Sequence, residues 1–272
     1  MVILSFYIYI FIFGYGFYNL LNPNFTTVWG YLIAIIILIL SVVFAFISEL
    51  IFMKLLYLIR RKKDPKNSFN HAYANSVLNL IRHLTRIKLI VTGKENIPPS
   101  NFVFVGNHQE NWDIIIVMPI FKGLPMNFIA KESLFSVPIL GKWIELLGNI
   151  PISRTADRSA AISIIKGVRT VKSGMPMAIF PEGKRSFSNE MLEFKPGAFK
   201  LAMKSKTDIL IGTLYDSSNV LKGYPFKKQI VRVDLQKILK YEDYKNLSSF
   251  ELADLVKGRI QDQLDKFDIE FN

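Results

Sequence analysis

The chain has 272 residues, half of them apolar, which is enough for one sizeable domain with its own core plus an appendage. It has no cysteine, and this excludes disulfides, thiolate catalysis and Cys-ligated metal. A formal charge of +12 suits an anionic partner: lipid headgroups, a phosphorylated substrate, an acidic carrier or nucleic acid.

The apolar residues are unevenly placed. No Asp, Glu, Lys or Arg occurs before Glu49, and within that stretch Val2 to Leu21 and Val28 to Ile47 each match the roughly 20 residues a helix needs to cross a bilayer. Asn22-Pro23-Asn24 reads as the turn between them. With no basic region ahead of the first run and no small-residue cleavage pattern after it, an anchor is expected rather than a signal peptide. Arg60-Arg61-Lys62-Lys63 then marks the cytoplasmic side. The expected organisation is a membrane hairpin with its basic flank over residues 1–63 and a cytoplasmic domain over residues 64–272.

Ser68 to Leu84 carries apolar residues at Phe69, Tyr73, Val77, Leu80, Ile81 and Leu84, which predicts an amphipathic helix. His71 and His83 are assigned to its surface, because neither has a carboxylate at useful spacing. From Ile87 onward, short apolar runs alternate with helical stripes. Strands are predicted at Ile87–Val91, Phe102–Val105, Met126–Ala130, Ile150–Ser153, Met177–Phe180, Ile209–Leu214 and Gln229–Leu235. Helices are predicted at Ile114–Ile120, Pro138–Leu147, the stripe from Ala161 to Val171 that stops at Gly174, and Ala198–Met203. A last helix opens on a capping box between Ser248 and Glu251, with Leu252, Leu255, Val256, Ile260 and Leu264 as its buried face. The predicted class is α/β: a mixed sheet flanked by helices, preceded by the hydrophobic helical hairpin.

His108 and Asp113 follow the strand that ends at Gly106. On an uninterrupted helix, residues five apart point in different directions, so the two side chains meet only if the segment between them turns. Asp113 is then expected to cap the helix that follows. Histidine is the side chain suited to taking a hydroxyl proton near neutral pH, and a carboxylate can orient it. With three histidines in the chain the pair alone is a weak signal, but it has company. Gly148 to Arg154 ends a strand with an arginine, and Phe180-Pro181-Glu182-Gly183-Lys184-Arg185-Ser186 follows a strand with a tight turn, a carboxylate and two cations.

Taken in order, these blocks resemble the membrane-bound glycerolipid acyltransferases, most closely the branch that acylates lysophosphatidic acid. The Asn-His-x4-Asp block matches at His108 and Asp113, the second block at Gly148, Ile150 and Arg154, and the third at Phe180 to Gly183, Arg185 and Ser186. Lys131, Leu134, Pro138 and Gly141, and the run Lys195 to Ala198, resemble neighbouring segments of the family. Three positions depart from its pattern. Ile209 to Thr213 lacks the proline of the fourth block, Glu110 stands where serine is common, and Lys184 stands where threonine is common.

The resemblance implies transfer of a fatty acyl chain from a coenzyme A or acyl carrier protein thioester to the free hydroxyl of lysophosphatidic acid, forming phosphatidic acid at a membrane. It implies His108 as base and Asp113 as its orienting carboxylate, with Arg154, Glu182, Gly183, Arg185, Ser186 and Lys131 as the substrate-binding set. Guanidinium forks suit the acceptor's phosphate. No metal and no cofactor are expected, the thioester being a co-substrate. Nucleic acid is not an expected partner, because the charge shows no recognised binding module. Another lysophospholipid or glycerol 3-phosphate stays open as the acceptor, as does a catalytically silent membrane module that binds anionic lipid.

Overall fold

Two long apolar helices begin the computed structural model, which describes residues 1–99, 101–153, 157–222 and 224–271. Met1–Lys63 and Asp64–Asn272 are separate compact units.

In the first unit, α1 (Val2–Leu21) ends at Asn22, whose left-handed backbone (φ 39°) turns the chain. The Thr27 hydroxyl accepts the Gly30 N–H at 3.2 Å and caps α2 (Val28–Arg60). Gly30 is required there, because a Cβ would lie 1.7 Å from the Asn24 carbonyl oxygen. The helices pack through Phe6 on Phe46 and through Phe13 and Phe17 on Phe44, with ring centroids 4.8, 5.3 and 5.4 Å apart. Both are long and apolar enough to cross a membrane. The second does not stop at Ile47, since no glycine or proline breaks it before Arg60. Its 33 residues extend about 50 Å, more than a hydrocarbon core of about 30 Å requires. Glu49 is buried within this unit and accepts the Ser5 hydroxyl, so its carboxylate has a partner.

The second unit opens with α3 (Ser68–Leu84), followed by β1 (Ile87–Thr92) and β2 (Val103–Gly106). Next come α4 (Trp112–Val117), a 3-10 turn over Met118–Phe121, β3 (Asn127–Lys131), α5 (Leu140–Leu146) and β4 (Ile150–Ile152). The chain continues with α6 (Asp157–Lys172), β5 (Met177–Ile179), α7 (Pro196–Ser205), β6 (Ile209–Tyr215), β7 (Gln229–Leu235), α8 (Tyr241–Tyr244) and α9 (Ser249–Phe271). Among the described residues, seven strands form one sheet in the order β1-β7-β6-β2-β5-β3-β4. The run from β6 to β4 is parallel, β7 is antiparallel to β6, and β1 is parallel to β7. The sheet is therefore mixed, as expected: the parallel run belongs to strands separated by helices, and the antiparallel step falls between β6 and β7, which no α-helix separates among the described residues.

Strand periodicity divides the core into two layers. Val103 and Val105 pack with Met177, Ile179, Ile209 and Ile211 against α6, α7 and α9, while Phe102 and Phe104 face the other way, with Leu210, Val231 and Val233, against α4. The capping box at α9 forms: the Ser248 N–H donates to Glu251 at 2.7 Å, and the Glu251 N–H donates to the Ser248 hydroxyl at 3.2 Å. Leu252, Val256, Ile260 and Leu264 are buried, but Leu255 is 40% exposed and Ala253 takes the buried position instead. Leu255 falls at the edge of the stripe that Leu252 and Val256 define.

Helix α3 departs further from expectation. Phe69 is 42% exposed, whereas His71 is buried together with Asn70, Tyr73 and Asn75. The Nε2–H of His71 donates to the Pro65 carbonyl at 2.8 Å, which turns this face of the helix inward, and burial lowers the imidazole's pKa.

Candidate active site

Four parallel strands end at one edge of the sheet, where α/β folds bind their ligands. His108 follows β2, Lys131 ends β3, Ser153 follows β4 and Glu182 follows β5.

The loop after β2 is held on both sides of His108. The Asn107 amide donates to the Leu214 carbonyl at 2.9 Å and accepts the Leu214 N–H at 2.8 Å, prolonging the pairing of β2 with β6 past Gly106. Buried Gln109 donates to the Leu214 carbonyl and to Asn189, both at 2.9 Å, and accepts the N–H groups of Ser217 and Ser218 at 2.8 and 3.2 Å.

The turn between His108 and Asp113 is wound around the aspartate itself. Asp113 Oδ2 lies 2.6 Å from His108 Nδ1 and accepts the N–H groups of Gln109 and Glu110 at 2.8 and 3.1 Å. Its Oδ1 accepts the Ser217 hydroxyl at 2.6 Å. Two N–H groups and a hydroxyl already donate to this carboxylate, so Nδ1 carries the imidazole proton and Nε2 keeps its lone pair. The expectation that Asp113 caps the following helix is corrected: Asn111 stands at the cap position without a side-chain bond, and Asp113 lies in the first turn of α4. Its oxygens are drawn back to the N–H groups of the loop before the helix. The Phe180 ring stacks on the imidazole at 4.7 Å and 13°.

Glu182 and Ser186, predicted to bind substrate, do not line the cleft at this edge. Glu182 is buried, with Oε1 accepting the His108 N–H at 2.7 Å and Oε2 accepting the Leu192 N–H at 3.0 Å. Burial pushes its carboxyl up to about 7, against the lowering effect of those two bonds. The Ser186 hydroxyl donates to the Ser188 carbonyl at 2.9 Å, within its own turn, and its N–H donates to the His108 carbonyl at 2.9 Å.

The cleft encloses about 620 Å³, within the range of small-molecule sites. Ile129, Ile152, Ile164, Ile165 and Ile179 line it together with Ala160, Ala161 and Ala198, and His108 and Arg185 also face it. Lys131, Lys195, Lys200 and Lys204 add positive charge, and Gly183 lines the cleft beside Lys195 with φ +68°. Arg185 is held by Glu110, with Nη1 at 2.5 and 3.2 Å from the two carboxylate oxygens. Arg154 lies outside the described residues, directly after Ser153 of the cleft.

The structure thus gathers His108, Asp113, Lys131, Gly183 and Arg185 at one site, and adds residues that sequence reasoning did not assign. Lys195 had a signal, since it opens a family-like segment. Ser217 and Gln109 had none that acts locally. Lys200 and Lys204 stand one turn apart on α7 and read as ordinary solvated lysines. An imidazole whose Nε2 takes no hydrogen bond among the described residues, at an apolar cleft bearing cations, can take a proton from a hydroxyl whose molecule carries both a chain and an anionic group.

Comparison with known proteins adds the following. Residues 88–215 match the family model described as Acyltransferase. The chain is 35% identical over 183 residues to a 1-acyl-sn-glycerol-3-phosphate acyltransferase of Borreliella burgdorferi, covering 64% of this chain and 72% of that protein. It is 28% identical over 173 residues to the protein of the same name from Salmonella typhimurium, covering 63% and 70%. The crystal structure of PlsC, the 1-acyl-sn-glycerophosphate acyltransferase of Thermotoga maritima, superposes with a TM-score of 0.60 at 21% identity, covering 80% of this chain and 87% of that one. This last likeness is one of fold.

Proposed function

The chain belongs to the 1-acyl-sn-glycerol-3-phosphate acyltransferase family, and from that premise we propose that it moves a fatty acyl chain from a thioester to the free hydroxyl of lysophosphatidic acid, forming phosphatidic acid. The observation that carries this reading is the His108–Asp113 pair at 2.6 Å, with the imidazole facing the apolar cleft.

His108 Nε2 takes the acceptor's hydroxyl proton as that oxygen attacks the thioester carbonyl. Asp113 keeps Nδ1–H pointed at itself and stabilises the imidazolium that forms. The tetrahedral intermediate collapses with cleavage of the C–S bond, and the imidazolium returns its proton to the departing thiolate. No covalent enzyme intermediate is needed. Arg185, with Lys131 and Arg154, supplies charge for the acceptor's phosphate. The apolar cleft suits an acyl chain, and Lys195, Lys200 and Lys204 suit an anionic donor, which fits either coenzyme A or an acyl carrier protein. In this reading α1 and α2 hold the chain at a bilayer, and the basic residues Arg60 to Lys63 keep the catalytic unit on the cytoplasmic side.

The test supplies the full chain in mixed micelles with labelled lysophosphatidic acid, another lysophospholipid or glycerol 3-phosphate as acceptor and each thioester in turn, beside the His108→Ala variant. Labelled phosphatidic acid from the wild type and not from the variant supports the reading. Equal turnover by both sinks the base assignment, and turnover confined to glycerol 3-phosphate or another lysophospholipid reassigns the acceptor.

A further inference from the structure

Glu110 lies two residues after the proposed base, and its carboxylate is engaged twice. Oε1 accepts the Asn111 N–H at 2.9 Å, and both oxygens contact Arg185 Nη1, at 2.5 and 3.2 Å. The pair is shielded, with the glutamate side chain 17% exposed and the arginine 31%. The guanidinium carbon of Arg185 lies over the Phe187 ring, 4.6 Å from its centroid. The bonds to Glu110 use Nη1. Among the described residues no hydrogen bond takes Nε or Nη2, although Arg185 lines the cleft.

A guanidinium grips an oxyanion best through two parallel N–H bonds from a single edge. With Nη1 held by Glu110, the edge left for that grip is Nε–Nη2. We infer that Glu110 is a positioning residue for the acceptor: it fixes Arg185 in advance, so that the acceptor's phosphate meets a preformed Nε–Nη2 edge. Without it, the arginine would have to be ordered at the moment of binding, and the lost rotamer freedom would be charged against acceptor affinity. The carboxylate does not touch the reacting hydroxyl, so its loss weakens acceptor binding and spares the chemical step. This inference rests on the acceptor reading given above.

Initial rates of the full-length protein in mixed micelles, against lysophosphatidic acid at saturating thioester, test it. Glu110→Ala and Glu110→Ser are both made, so that one poorly folding variant does not decide the matter, and the unfolding midpoint is recorded for each. The expected result is a rise of about tenfold in acceptor KM with kcat within about threefold and donor KM unchanged. Glu110→Gln, whose amide oxygen still accepts from Nη1, should recover most of the acceptor affinity. An acceptor KM that stays level or falls in the Ala and Ser variants overturns the inference, as does a loss confined to kcat. A wild type that turns over no lysophosphatidic acid overturns the acceptor reading itself, and that result is read before any variant is compared.

Discussion

The peptide N–H of His108 donates to Glu182 Oε1 at 2.7 Å, tying the backbone of the proposed base to the turn after β5. The imidazole is therefore held by Asp113 at Nδ1, by Phe180 on its ring face and by Glu182 through its own peptide. The two loops are stitched further, because the carbonyls of His108 and Gln109 accept the N–H groups of Ser186 and Phe187 at 2.9 and 3.1 Å. The third sequence block thus acts partly as a clamp on the first.

This clamp predicts a pH effect on stability. Burial raises the Glu182 carboxyl from 4.5 to about 7. Between those values the folded protein holds a proton that the unfolded chain has released, so stability falls as pH rises through the window. The loss is about 3 kcal/mol at about 1.4 kcal/mol per pH unit. Glu182→Gln does not titrate, though its amide can accept only one of the two N–H groups. Unfolding midpoints from pH 4.5 to 8 should show the wild type losing ground to the variant as pH rises, and parallel profiles would refute the assignment.

Removing the base should abolish most turnover. His108→Ala is expected to lower kcat by about 10²- to 10⁴-fold, the usual contribution of general base catalysis. Asp113→Asn should fall in the same range and also lose stability, since an amide cannot accept all the groups that Asp113 gathers in the buried loop. Steady-state kinetics with a parallel melting curve separates the two, and an Asn variant with wild-type kcat would contradict the orienting role.

Ser217 offers a milder probe of the same network. Ser217→Ala removes the hydroxyl that donates to Asp113 Oδ1 at 2.6 Å and costs about 1.5–3 kcal/mol of stability, as expected for a hydrogen bond to a charged group. Because His108 stays paired with Asp113, kcat should drop by less than in Asp113→Asn. Equal losses in the two variants would mean that Ser217 has a direct part in the chemistry.

Gly183 is constrained by its backbone. At φ +68°, an alanine would cost about 1–2 kcal/mol, and its Cβ would come within 3.1 Å of Lys195 Nζ. The lysine end is flexible and can move aside, so the cost is mainly conformational. Gly183→Ala should lower the unfolding midpoint by a few degrees, and an unchanged midpoint would show that this turn relaxes.

What could be read from the residues alone was whatever acts over a few positions. Alternating apolar runs located β1 to β7, and Ser248 with Glu251 located the start of α9, because side-chain period and capping bonds are set within a turn or two. The spacing of His108 and Asp113 called for a turn, and their order with Arg185 marked one site. Tertiary structure decided the rest. Ser217 lies 104 positions from Asp113 and reaches it because β6 pairs with β2. Glu110 meets Arg185 across 75 positions, and only the end of β5 beside β2 makes them neighbours. His71 has no carboxylate at useful sequence spacing and yet is buried, with the Pro65 carbonyl as the partner that its spacing did not suggest. Local periodicity identifies the strands, but their lateral order places distant side chains in contact, and the candidate site depends on that order.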